Sequence, residues 1–407
     1  MSRYVFAGLL IGALLSNPAF SQEHSAEYDE IRSDIAALSA RLQKLEEENA
    51  ALKQQNAELV QTIEMQTPPA APATAQSAPA AEVKPAVLPW YENIMIGGLV
   101  FGDAYALVDN HSPGVDDQTG FWIRRAYLTF DSKITDAWSS RFRFEVNSPG
   151  NFTTNGPLDP YVKDAYLART ANGSTLYLGM SPSPTFDFVE TFWSYRHIEK
   201  TPVDLYRMGS SRDIGVAYKG SADEGRIFYH AMLGNGAGTG SETNDGKKAM
   251  LSVGYNLTPS LTAQFYADYE DRPNHTNRNT YQGFLGWKAE QSRYGLSYTW
   301  QNREQQDAPE APVSVASIFG AWNLTDKSTL VARYDYNFDG YPDANQVPYL
   351  VFPNNTEFNF AILGWNYQFN PQISFGPNLE YTMYRETDGV PAPDNDLMFR
   401  ATLFYQF

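Results

Sequence analysis

The sequence contains no cysteine, which excludes disulfide staples, thiol nucleophiles, Cys-ligated zinc and a lipid-modified N-terminal cysteine. It has no basic excess either: 30 Lys and Arg stand against 47 Asp and Glu, a net of −17, which argues against a nucleic-acid backbone as partner. Beyond the first residues no apolar run approaches the ~20 residues that a membrane-crossing helix needs. What is abundant is aromatic and turn-forming: 26 Tyr, 24 Phe and 8 Trp, with 29 Gly and 25 Pro, in 407 residues. Many aromatics and glycines with few long apolar runs suit an antiparallel β protein cut by many turns, and disfavour a helical α/β enzyme.

The first residues read as an export signal over 1–21. Arg3 gives a short basic region, Tyr4 to Leu15 an apolar core, and Ala19-Phe20-Ser21 the small residues before a cleavage point at Gln22. A heptad seam follows, with Tyr28, Ile31, Ile35, Leu38, Leu42, Leu45, Asn49, Leu52, Asn56, Leu59 and Ile63 spaced alternately three and four apart. So narrow a seam predicts a self-associating coiled coil over 22–66 rather than an amphipathic helix lying on its own domain. Asn49 and Asn56 fall at core positions, where a buried amide fixes register. From 67 to 89 the chain is an Ala/Pro-rich extended spacer.

From Trp90 to Phe407 the pattern alternates with period two between turn residues. Candidate strands lie at 93–108, 119–131, 137–147, 160–170, 173–180, 209–220, 225–234 and 248–257, then at 260–270, 279–288, 292–301, 313–324, 327–337, 357–369, 372–384 and 396–407. Connections after the even-numbered strands are short, and those after the odd-numbered ones are long and polar. An even strand count with that asymmetry predicts an all-β, 16-stranded antiparallel transmembrane barrel of the outer-membrane kind, with both chain ends and the coil periplasmic. In the last strand Leu397, Phe399, Ala401, Leu403, Tyr405 and Phe407 share a face suited to lipid, and Arg400, Thr402 and Gln406 share the other. Charged residues inside a barrel of this width predict an aqueous lumen.

The stretch from Gly120 through FWIRRAYLTFDSKITDAWSSRFRFEVN to Ser148, with VKDAYL at 162–167, LYLGMSPSPTF at 176–186 and YRHIEKTPVDLYRMGSSRDIGVAYKG at 195–220, resembles the phosphate-selective porin O and P family. The terminal Phe407 also resembles the signal read by the outer-membrane insertion machinery. The resemblance implies a homotrimer of barrels passing small anions, phosphate among them, with a long third loop folded into each lumen as a constriction. Here that loop corresponds to Ser181 to Met208, which includes Asp187, Glu190, Arg196, Lys200 and Arg207. Its run of Phe186, Phe188, Val189, Phe192, Trp193 and Tyr195 is too apolar to lie in water.

Parity places Arg125, Arg141, Arg143, Arg226, Arg293, Arg333 and Arg400 on lumen faces, a possible ladder for anions. Asp131, Glu145, Asp164, Asp213, Asp268, Asp335 and Glu380 share those faces, so charge balance is the competing reading. No lysine cluster of the kind used by the phosphate-specific members is present, which leaves a weak anion preference as the expectation. The segments 109–118, 302–312, 338–356 and 385–395 hold eleven acids against two bases, and read as solvated outer loops able to share cations with lipopolysaccharide. No cofactor or metal is expected, and no enzyme: His24, His111, His197, His230 and His275 lie in no nucleophile motif, and Gly234 to Gly240 lacks the Lys-Ser/Thr of a phosphate-cradling loop. Two functions of different class follow. One is a porin for small hydrophilic solutes; the other is an outer-membrane anchor whose coil tethers the cell wall or a partner protein.

Overall fold

The computed structural model describes residues 93–407, apart from 147–149, 151, 153–156, 307 and 308, together with Arg41 and Lys44. The chain divides into two units, 1–85 and 86–407. The signal and the spacer lie outside the described residues, as does the coiled coil apart from Arg41 and Lys44.

The second unit is a closed antiparallel barrel of sixteen strands, each paired with its sequence neighbours and the first with the last. In order they are β1 (Ile94–Asp109), β2 (Thr119–Lys133), β3 (Trp138–Val146), β4 (Pro160–Ala171), β5 (Ser174–Pro182), β6 (Arg212–Ala222), β7 (Ile227–Gly234) and β8 (Lys248–Asn256). The second half continues with β9 (Leu261–Glu270), β10 (Arg278–Lys288), β11 (Ser292–Arg303), β12 (Val313–Thr325), β13 (Ser328–Asn337), β14 (Phe358–Asn370), β15 (Ile373–Tyr384) and β16 (Asp396–Gln406). Closure runs through pairs such as Ala104 with Ala401, and the backbones of Gly98 and Phe407 exchange two hydrogen bonds of 3.0 Å. With no free edge, every strand is paired on both sides.

Alternation along the strands sorts the side chains. Leu285, Leu296 and Ile318 are neighbours across β10, β11 and β12 and all face outward, as do Leu363, Leu379 and Phe399 across β14, β15 and β16. Exposed rings border this apolar belt: Tyr269, Tyr281, Tyr298, Tyr336 and Tyr381 toward the long loops, and Trp287, Trp365, Phe369 and Tyr405 toward the short turns. An apolar band between two aromatic girdles is the surface that hydrocarbon and head groups select.

The interior is not uniformly wet. The long third loop, 183–211, carries two short helices, α1 (Asp187–Trp193) and α2 (Pro202–Leu205), and its apolar side chains lie against the inner wall. The seventh loop, 338–357, also turns inward, with Tyr341, Val347, Tyr349, Leu350 and Phe352 buried in the same cluster. This corrects the expectation of a solvated acidic loop over 338–356: the aromatic content of that segment outweighs its two carboxylates, Asp339 and Asp343. Asp343 reaches Arg303 at 2.8 Å and Asp339 accepts from Ser314 Oγ at 2.7 Å, so the acids are partnered as well.

Candidate lumen constriction

The third loop is held by several strands at once. Its aromatics meet rings that alternation turns inward: Phe188 lies 4.7 Å from Phe228, Phe192 5.3 Å from Phe284 and Trp193 5.0 Å from Phe319. Inward glycines make room for them. A Cβ at Gly286 would come within 2.6 Å of the Phe192 ring, and one at Gly364 within 3.3 Å of Ile198. Polar groups fix the rest. Gln301 donates to the Met208 carbonyl at 2.6 Å, Tyr206 donates to Asp335 at 2.8 Å, and Trp193 Nε1 donates to the Glu199 carbonyl at 2.8 Å.

A buried charge cluster anchors the loop's midpoint. Arg400 is fully buried; it donates to the Ile198 carbonyl at 2.8 Å, to Glu199 at 2.6 Å and to Glu380. Arg124 pairs with Asp103 at 2.9 Å and donates to the Ile198 carbonyl at 3.1 Å. Lys200, whose backbone N–H donates to Glu199 Oε1 at 2.7 Å, sits 5.1 Å from the Tyr349 ring, which ties the third loop to the seventh. Arg207 adds a second tie by donating to Gln346. Arg333 pairs with Asp335 at 2.8 Å and donates to the Lys200 carbonyl. His197 is buried beside Asn366 Oδ1 at 2.8 Å; burial, reinforced by Arg124, holds the imidazole down to about 4, so the ring is neutral near pH 7.

The water-facing side of the loop is charged. Arg196 bridges Glu190 and Asp204, and Asp187 pairs with Lys219. Burial works against ionisation at Asp204, yet Arg196 and Lys200 outweigh it and hold the carboxyl below its usual range. Opposite stands the wall of β2 to β6. There Arg125 pairs with Glu145 at 2.6 Å, Arg141 grips Asp131 through two bonds of 2.7 and 2.8 Å, and Arg143 reaches Thr129 at 2.8 Å and Asp164 at 3.3 Å. Lys163 pairs with Glu145 at 2.8 Å and Arg212 with Asp164. Arg125 and Arg196 are near enough to repel each other electrostatically.

Arg125, Arg141, Arg143, Arg293, Arg333 and Arg400 thus all face inward, but not as a ladder of free cations: every one except Arg293 has a carboxylate partner among the described residues. Arg226 lies in the β6–β7 turn rather than on a strand, about half exposed, with Asp223 at 3.8 Å and Tyr255 Oη at 2.6 Å. Asp268 and Glu270 hold the ammonium of Lys248 at 3.0 and 3.1 Å, and among the described residues no acid or His cluster suits a metal. Strict alternation missed Arg124 and Lys163. A bulge in β2 turns both Arg124 and Arg125 inward, and one in β4 does the same for Lys163 and Asp164. The signal was present, since outward Phe121 and Ile123 are odd-numbered and outward Leu128 is even-numbered.

This barrel superposes on OmpT of Vibrio cholerae, an outer membrane protein in a trimer form, at TM-score 0.53 and 13% identity over 77% of this chain and 99% of that one. The anion-selective porin from Comamonas acidovorans gives 0.56 and 10%, over 77% and 99% of the two chains. The outer membrane channel DcaP of Acinetobacter baumannii gives 0.54 and 14%, over 77% and 97%. The fold is that of the outer-membrane porins. At these identities the likeness is one of porin fold alone. No protein-family model matches the chain, and no curated protein is similar to it in sequence.

Proposed function

We propose that the protein is an outer-membrane porin, a water-filled channel through which small hydrophilic solutes diffuse, with a weak preference for anions. The observation that carries this reading is the third loop seated inside a closed barrel with Glu190, Arg196 and Asp204 partly exposed beside the charged wall of β2 to β6; we read the space between them as a gap that carries water. Arg141, Arg143 and Arg212 on the wall and Arg196 on the loop keep part of their side chains in solvent, which a barrel filled by packing would not allow.

The gap holds six cations (Arg125, Arg141, Arg143, Lys163, Arg196, Arg212) against five carboxylates (Asp131, Glu145, Asp164, Glu190, Asp204), a surplus of one positive charge. So small an excess supports weak selection among ions and no dedicated phosphate site. In this reading the barrel is a homotrimer in the outer membrane, contacting lipid and lipopolysaccharide, and residues 22–66 form a periplasmic coil that is itself trimeric. The test is planar-bilayer conductance of the full chain and of a form lacking residues 22–89. Stepwise conductance in both, with a reversal potential displaced slightly toward anions in a KCl gradient, is the expected result. A barrel that never conducts would leave the anchoring function in its place.

A further inference from the structure

Beneath the third loop, at the short-turn end of the lumen, lies a cavity of about 680 Å³, within the ~300–1,000 Å³ typical of small-molecule sites. Its wall comes from β11 to β16 and from Ser194, Tyr195 and His197 of the loop. Its chemistry differs from that of the constriction above, where cations and carboxylates are interlocked. Here carboxamides predominate; Gln291, Gln368 and Gln372, exposed at the rim, have no side-chain partner among the described residues and so are free to reach inward. Asn366 offers its Oδ1 to His197, which leaves its NH₂ group free to donate.

Arg293 is the one strand-borne cation in this cavity. Alone among the inward arginines predicted from the sequence, it forms no ion pair with any described carboxylate. It is nevertheless oriented: one Nη donates to Ser194 Oγ at 2.8 Å, and the guanidinium lies 5.0 Å from the Tyr195 ring centre. Glu290, Asp326 and Lys327 also border the cavity, but from exposed turns at its mouth, where water screens them.

We propose that this cavity binds hydroxylated carboxylates, the chemical class of the sugar acids, with Arg293 taking the carboxylate and the carboxamides taking the hydroxyls. A guanidinium already oriented has free N–H groups for a carboxylate fork. Carboxamides donate and accept at once, which matches hydroxyls that do the same. A bare anion would leave the amides unused, and a neutral sugar would leave the guanidinium unused. The inference deepens the channel reading and rests on it, since the ligand meets this site within the aqueous path.

The test is calorimetric titration of the folded full-length protein with glucuronate, with glucose and acetate as comparison ligands. The expected result is glucuronate binding at least tenfold tighter than either, a loss of at least tenfold in Arg293→Gln, and partial retention in Arg293→Lys. Gln368→Ala, at the mouth and remote from the packed loop, should weaken glucuronate several-fold and leave acetate unchanged. Equal affinity for glucuronate and acetate, or unchanged glucuronate binding in Arg293→Gln with native circular dichroism, overturns the proposal. Stepwise conductance in the same preparation separates the two readings: a conducting protein that ignores glucuronate refutes this site alone, and a closed one that binds it refutes the channel alone.

Discussion

At the scale of single residues, pairing decides what each charge can do. Arg141 and Asp131 are bound through two hydrogen bonds on neighbouring strands, so each cancels the other's field in the gap. Arg141→Gln alone leaves Asp131 uncompensated and should move the reversal potential toward cations, most strongly at low salt where screening is least. The double change Arg141→Gln with Asp131→Asn removes the pair whole and should restore the wild-type potential; bi-ionic potential measurements on the three proteins check this. His197 gives a second expectation. Its folded pKa of about 4 lies below the ordinary 6.5, so protonation is disfavoured in the docked loop. As pH falls from 6.5 toward 4, the undocked loop binds protons first and docking weakens, by roughly 3 kcal/mol at most. The protection factors of the amides in 183–211, taken relative to the intrinsic exchange rate at each pH, should therefore fall between pH 7 and pH 4.5. That loss of protection should be absent in His197→Gln, whose side chain does not titrate.

At the scale of elements, the third loop stays inside because a seat has been built for it. Phe192 occupies the space that a side chain at Gly286 would need, and Phe284 and Phe319 complete the slot. Gly286→Val should displace α1 and raise single-channel conductance while leaving the barrel closed. Phe192→Ala keeps the seat but empties it, costing loop docking about 3 kcal/mol and broadening the distribution of conductance steps. Deleting 186–206 should raise conductance further than either. The two bulges matter at the same scale. Without the extra residue in β2, Arg124 and Arg125 could not both face inward, and the pair Arg124–Asp103 that steadies Ile198 would be lost.

At the scale of the whole molecule, closure and alternation make the outer wall a lipid surface and leave the interior to be divided between packing and water. The seventh loop, with the third, fills one side with apolar contacts, and the charged gap is confined to the side of β2 to β6. In the proposed channel, selectivity follows from the few charges there rather than from the net of −17. Sedimentation of the full chain in detergent should give a trimer, and the isolated segment 22–66 should trimerise as well. A dimeric segment would separate the coil's symmetry from that of the barrel.

Strand number, the closed barrel class and the outward face were legible in the sequence because lipid on one side and water or polar contacts on the other impose a period-two pattern that survives in the chain itself. The third loop was marked by its length and its aromatics, and most inward arginines by parity. What alternation could not carry was any feature decided by contacts between distant segments. The bulges at Arg124 and Lys163 break the parity rule locally. The inward fold of the seventh loop depends on Tyr349 finding Arg124, Lys200 and Arg400, which arrive from β2, the third loop and β16. Which arginine is paired and which is left for a ligand depends on whether a carboxylate on a neighbouring strand or loop comes within reach, and only closing the barrel sets those distances.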